Sequence, residues 1–264
     1  MISLKSPDEI EVIGRAGAIV AEALELASRE ALPGRSTAEL DRVAEELIRG
    51  HAGAVPAFKG LYGFPATLCT SLNEEVVHGI PSEERVLREG DVLTVDVGVK
   101  LEGYFADAAL TVPVGEPDEE ASRLLRVTRG ALERGIDEAR AGRHVGDISS
   151  AVQRHVEGNG YSVIRELVGH GVGHAPHEEP QVPNFGRPGR GALLREGLVI
   201  AIEPMVNVGG REIRTLEDDW TVVTSDGSLS AHFEHTVAIT PDGPQVLTAR
   251  EATTTAARGE EHVG

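Results

Sequence analysis

The sequence predicts an α+β fold assembled from a repeated helix–strand unit, and three observations carry that prediction. Helix-start signals recur near residues 6 and 36, runs of branched apolar residues read as strands, and the two kinds of segment repeat at nearly the same spacing, 108 and 107 residues.

Ser6-Pro7-Asp8-Glu9 is the first start signal. It has a serine to cap, proline at the first helical position, and glutamate three residues after the cap. Ile10, Ile13, Ile19 or Val20, and Leu24 follow at helical spacing, and Leu32-Pro33-Gly34 stops the helix. Ser36 with Glu39 starts a second helix, which carries Leu40, Val43 and Leu47 on one face. Val92 to Val99 reads as a strand, a polar break follows at Lys100 to Gly103, and Tyr104 to Val112 returns as a second extended run. Pro117 opens a long helix ending near Gly142, and Asp147 to Val156 forms a shorter one. Further strands are expected at Gly197 to Ile202, Trp220 to Thr224 and Phe233 to Ile239. Residues 1–250 are expected to form one domain. Residues 251–264, rich in Thr, Ala, Gly and Glu without periodicity, are expected to be a disordered tail.

The repeat is visible in both element types. Gly34-Arg35 precedes a helix with Leu40, Val43 and Ile48, and Gly142-Arg143 precedes one with Ile148, Ala151 and Val156. Glu89-Gly90-Asp91-Val92-Leu93-Thr94-Val95-Asp96 lines up with Glu196-Gly197-Leu198-Val199-Ile200-Ala201-Ile202-Glu203, at an offset of 107 residues. Each copy of the strand closes on an acid.

Composition narrows the function classes. Forty-three acids against 25 bases give a formal charge of −18, which opposes general affinity for DNA or for anionic membranes. A single cysteine, Cys69, allows no internal disulfide. The start of the chain turns charged by Asp8, and no apolar stretch is long enough to span a bilayer, so a cytoplasmic protein is expected.

The candidate chemistry lies in acids that stand where acids are costly. Aspartate is depleted in strands, yet Asp96 interrupts an apolar strand run, where an unpaired charge is expensive to bury. If the turn is centred between Leu101 and Glu102, Asp107 lies directly opposite Asp96, with Cβ atoms roughly 4.5–5.5 Å apart. Two like charges that close need a proton or a cation between them. Glu203 closes the equivalent strand before Pro204, Glu234 lies in the final strand, and His170 sits within Gly169-His170-Gly171-Val172-Gly173. Four carboxylates and one imidazole suit two divalent ions. So oxygen-rich a set favours Mn, Fe or Co over a thiolate-rich structural zinc site, and leaves zinc itself open.

Ordered motifs connect these residues: Cys69-Thr70-Ser71-Leu72-Asn73-Glu74, His78-Gly79-Ile80-Pro81, Asp96-Val97-Gly98, and Gly169-His170-Gly171-Val172-Gly173. His177-Glu178-Glu179-Pro180, Ile202-Glu203-Pro204-Met205-Val206, Trp220-Thr221-Val222 and Glu234-His235-Thr236 follow. In order and spacing the chain resembles the type I methionine aminopeptidases over roughly residues 4 to 248. The resemblance implies a pita-bread fold, with two pseudo-symmetric halves around a mainly antiparallel curved sheet and helices on its outer face. It implies metal-dependent removal of the N-terminal methionine from nascent proteins or peptides, with a metal-held water or hydroxide as nucleophile. Asp96 then looks like the chelating ligand of one ion, His170 and Glu203 like ligands of the other, and Asp107 and Glu234 like bridging carboxylates. Glu203 resembles the proton shuttle, and His78 and His177 the substrate-contacting histidines. Phe64, Cys69 and Trp220 stand where the family lines its methionine pocket. A monomer working on nascent chains at or near the ribosome is also implied.

Three positions depart from the family pattern. Leu61 stands where many members carry Tyr, Pro176 where many carry Phe, and His232 where Gln is usual. The first two point to a remodelled pocket, and the third to an altered surround of the metals. Two alternatives remain at this stage: an X-Pro peptidase of the same fold, and a pita-bread protein that binds peptides without cleaving them.

Overall fold

A computed structural model describes residues 2–249, and the expected tail lies outside them. Helix α1 (Pro7–Glu30) begins on a complete capping box: Glu9 N–H donates to Ser6 Oγ and Ser6 N–H donates to Glu9 Oε2. Helix α2 (Thr37–Gly50) repeats that box with Ser36 and Glu39. Helix α3 (Glu119–Glu138) is capped by Asp118, whose Oδ1 accepts from Ala121 N–H at 2.7 Å. The cap therefore lies one residue beyond the proline expected to open this helix, because Asp118 offers the acceptor the first turn needs. Helix α4 spans Val145–Gly158.

Of the four antiparallel sheets among the described residues, the two largest sit beneath the helices. The first pairs strand Val92–Leu101 with Tyr104–Pro113 on one side and Leu68–Leu72 on the other. The second orders Gly243–Val246, His235–Thr240, Val199–Ile202, Val168–Gly171 and Glu178–Pro183. The side chains of Val95, Val97 and Val99 join Ile13, Ala16, Val20 and Leu24 of α1 in one buried cluster. In the second half Leu132 and Ile148 pack with Ile200, Ile202 and Val237. Gly17 is where the end of the described chain crosses α1; a Cβ there would meet Leu247 O at 2.3 Å.

The two halves repeat at their helix and strand starts. Gly34 and Gly142 have φ of 91° and 86°, Gly90 and Gly197 of 87° and 84°. Gly34 N–H donates to Leu87 O at 2.8 Å, as Gly142 N–H donates to Leu194 O at 3.0 Å. The left-handed φ of Gly197 also starts the second-half strand at Val199 rather than at the glycine itself.

The hairpin register differs from expectation. Leu101 pairs with Tyr104, so the turn is Glu102-Gly103, with φ of 49° and 89°, the two positive angles a two-residue type I′ turn requires. The strand thus runs through Lys100 and Leu101, where a polar break was expected. Asp107 then faces Gly98, and Asp96 faces Ala109. The acids are not directly opposite but diagonal on the same face, a separation of roughly 7–8 Å between diagonal positions that leaves room for a cation. Glu234 also lies outside a strand, between Ser230–His232 and His235–Thr240. Its N–H donates to Ala109 O at 2.9 Å and stitches the two sheets together. Trp220 precedes its strand, Val222–Thr224, in a turn where Asp218 Oδ1 accepts from both Trp220 N–H and Thr221 N–H.

Candidate metal centre

All five candidate ligands open onto one cavity of about 280 Å³ between the two sheets. Asp96 is placed there by strand alternation: its neighbours Val95 and Val97 turn toward α1, so it turns inward. Its Oδ1 is buried without a hydrogen-bond partner. Asp107, 5% exposed, is held by Thr236, whose hydroxyl lies 2.8 Å from its carbonyl and 3.0 Å from Oδ1. Glu203 follows Ile202 directly, and Asn184 Nδ2 donates to its carbonyl at 3.0 Å.

His170 lies within strand Val168–Gly171, and its Nδ1 is 3.0 Å from Gly171 O. A carbonyl only accepts, so Nδ1 carries the proton and Nε2 presents a lone pair to the cavity. That Nε2 is 3.6 Å from Asp107 Oδ2 and 3.5 Å from Glu203 Oε1. One ligand atom each from Asp107, His170 and Glu234 lies within 4.8 Å of the other two. Such spacing holds apart atoms that repel one another yet lets a single ion touch all three.

The electrostatics point the same way. Burial pushes the carboxyl of Asp96 well above the usual range, and Asp107 pushes it further. Glu203 and Glu234 are raised in the same manner, first by burial and then by the surrounding carboxylates, Asp107 foremost. A divalent cation would oppose that rise by supplying the missing positive charge. The orphaned Oδ1, the lone pair of His170 and the clustered acids therefore fit a hard divalent metal.

Two histidines flank the acids. His78 adopts a left-handed φ of 61°, with its ring edge-on to Trp220 at 6.4 Å. Burial, then the nearby His177, holds its pKa below the ordinary value. His177 stands at the cavity mouth, open to solvent on one side and edge-on to the His170 ring at 4.5 Å on the other. Its partial burial and then His170 lower its pKa too. Both imidazoles are neutral near pH 7, so each carries one N–H donor.

The apolar end of the cavity is built from Phe64, Trp220 and Cys69, with the two aromatic rings edge-to-face at 5.1 Å. Burial raises the Cys69 thiol well above its ordinary value, so it serves as apolar wall. Leu61 lines the cavity and Pro176 does not, so only the first of those departures alters the pocket itself. Sequence reasoning missed Phe58, Tyr62 and Met205, which also line it. Tyr62 is 77% exposed and lies nearly parallel to the His177 ring, 6.2 Å away. A tyrosine among glycines in Gly60-Leu61-Tyr62-Gly63 was the available signal.

Comparisons with known proteins agree with this geometry. The family described as metallopeptidase family M24 matches residues 11–241. The chain is 53% identical to a methionine aminopeptidase of Clostridium perfringens, covering 94% of this chain and 99% of that one. It superposes on the crystal structure of a Thermotoga maritima methionine aminopeptidase with a TM-score of 0.93 and 46% identity, over 95% and 100% of the two chains. A prolidase from Pyrococcus furiosus shares the fold at a TM-score of 0.75 and 25% identity, over 94% of this chain and 66% of the prolidase.

Proposed function

The chain belongs to metallopeptidase family M24, and from that premise we infer that it is a metal-dependent aminopeptidase removing the N-terminal methionine from polypeptides. The observation that carries the reading is the joining, in one cavity, of a buried carboxylate–imidazole cluster to a closed apolar end. The cluster suits divalent cations. The apolar end suits one unbranched thioether side chain.

We assign Asp96, Asp107, His170, Glu203 and Glu234 as ligands of two divalent ions, with Mn, Fe or Co favoured by the oxygen-rich donors. Ions held there supply a Lewis acid for the scissile carbonyl and bring a water's pKa toward neutrality. Every other element belongs to the chain. Phe64, Cys69, Trp220 and Leu61 seat the methionine side chain and exclude water around it. His78 and His177 donate N–H bonds to the scissile amide, strengthening as its oxygen gains negative charge. Glu203 takes the proton of the attacking water and delivers it to the departing amine as the C–N bond breaks. Working on nascent chains, as a cytoplasmic monomer, is the setting this activity suits; no helix among the described residues is long and apolar enough to cross a membrane.

The test is hydrolysis of Met-Ala-Ser and of Gly-Pro by metal-stripped protein, with Mn, Co, Fe or Zn restored separately. Metal-dependent release of free methionine, lost in Asp107→Ala, is the expected result. Cleavage of Gly-Pro in preference would transfer the assignment to an X-Pro peptidase, and no cleavage with any metal would leave a peptide-binding protein.

A further inference from the structure

His232 is the one histidine among the described residues whose ring nitrogens, Nδ1 and Nε2, are both buried without a hydrogen-bond partner. It is 1% exposed, so neither nitrogen has solvent to turn to. A buried polar group left unsatisfied is costly, and this side chain carries two. Nor is the ring free to swing away. His232 N–H donates to Thr111 Oγ1 at 2.9 Å, the Thr111 hydroxyl donates to His232 O at 2.7 Å, and the residue is paired with Met205 in its strand. A pinned backbone therefore holds an orphaned imidazole in the cavity wall.

An acceptor within 4 Å is Glu203, whose two oxygens face two different histidines. Oε1 is 3.5 Å from His170 Nε2, and Oε2 is 3.9 Å from His232 Nε2. The two rings are not equivalent. His170 has its proton fixed on Nδ1 by Gly171 O and offers a lone pair to the cavity. His232 has no such constraint, because neither of its ring nitrogens has a partner. Its proton is free to sit on Nε2.

We propose that His232 is a positioning residue for Glu203, donating Nε2–H to Oε2 once Oε1 is drawn to the cation it shares with His170. The ring thus assigns the two oxygens of one carboxylate to separate tasks, one to hold the ion and one to face the reacting proton. This rests on the aminopeptidase reading only for its second half; the first concerns metal binding alone.

The experiment compares His232→Leu, which keeps volume and removes the donor, with His232→Gln, which restores an N–H donor. Mn²⁺ or Co²⁺ is titrated calorimetrically into each metal-free protein, and kcat and KM for Met-Ala-Ser are measured alongside. His232→Leu is expected to weaken cation binding about tenfold, the scale typical when a ligand loses its outer hydrogen bond. It should lower kcat with little change in KM, and His232→Gln should recover most of both. Melting of metal-free His232→Leu at or above the wild-type temperature would show the fold intact; should it fail to fold, His232→Met makes the same donor-free comparison. Unchanged cation affinity and kcat would mean the imidazole is only an unsatisfied wall residue, and would overturn the proposal. A rise in KM alone would overturn it in favour of a substrate contact. Equal losses in the Gln and Leu variants would show that the N–H donor is not what matters, and would overturn the proposal. The calorimetry decides even if no methionine is released.

Discussion

The hairpin Val92–Leu101/Tyr104–Pro113 and the pair Val199–Ile202/His235–Thr240 start alike and end differently. In the first, the chain runs on past Asp96 to a two-residue turn and returns at once, placing Asp96 and Asp107 on one face of one hairpin. In the second, Glu203 is followed by Pro204, which has no N–H to continue the ladder. The chain then leaves through Met205–Asn207, Ile213–Thr215, Val222–Thr224 and Ser230–His232 before Glu234 rejoins the sheet. That excursion carries Met205, Trp220 and His232 into the cavity. Repetition supplies the carboxylates, and the interruption of one copy supplies most of what surrounds the substrate.

The acids at 96 and 203 occupy equivalent places, and the largest predicted effect asks whether they do equivalent work. Asp96→Asn removes a proposed ligand. Glu203→Gln would remove a proposed ligand and the proposed proton carrier together, adding the roughly 10²–10⁴-fold contribution of general acid–base catalysis. Steady-state turnover should therefore fall about 10²-fold further in Glu203→Gln than in Asp96→Asn. Equal losses would make the two positions functionally symmetric and remove Glu203 from proton transfer.

A second prediction concerns both halves at once. Asp96, Glu203 and Glu234 have folded pKa values raised above their unfolded ones, so the folded state binds more protons than the unfolded chain. Their contribution is fully present below about pH 4 and is lost as pH rises toward the folded values. His232 and His235 are depressed, to about 3 and about 4, so their contribution is complete above the unfolded histidine value near 6.5. The raised carboxylates are therefore groups of this site whose contribution falls as pH rises. Above the unfolded histidine value, the melting temperature of metal-free protein should decline as pH rises toward the folded carboxylate values, by about 2–4 °C for each kcal/mol lost in a chain of this size. Added Mn²⁺ should raise the melting temperature and flatten the slope. A flat profile without metal would mean the acids do not repel as the geometry implies.

Much of this was legible in the residues, and the exceptions have physical causes. The capping boxes at Ser6 and Ser36 and the echo between residues 89–96 and 196–203 carried the helices and the duplication, because both depend on local chemistry. The hairpin register did not follow from the polar break, since Lys100 keeps its side chain exposed while its backbone pairs on both sides, and Gly103 lets the turn tighten. Asp96 and Glu203 announced themselves as acids among branched residues. Tyr62 did not, because its role depends on what the fold brings opposite it, the ring of His177. Nothing in the local pattern reveals that His232 lacks partners; that is a property of the packed cavity.

The smallest predicted effect comes from the two flanking histidines, which are held by different means. His78 is fixed by its own backbone, and the following Gly79 is so close to the preceding strand that a Cβ would meet Thr70 O at 2.2 Å. His177 precedes a buried ion pair instead. Lys5 Nζ lies 2.5 Å from Glu178 Oε2, Glu178 Oε1 accepts from Ala175 N–H at 3.2 Å, and Lys5 N–H donates to Gly197 O at 2.6 Å. The lysine side chain is 1% exposed. Buried pairs add little net stability, because desolvation offsets attraction, but they define geometry strictly. Lys5→Met should therefore loosen the Ala175–Glu178 loop and reduce kcat about tenfold by misplacing His177, while metal affinity stays unchanged. A double-mutant cycle with His177→Ala isolates that path. If Lys5 acts through His177, its substitution should cost nothing further once the imidazole is gone; if the two losses multiply, the ion pair serves the fold and not the histidine.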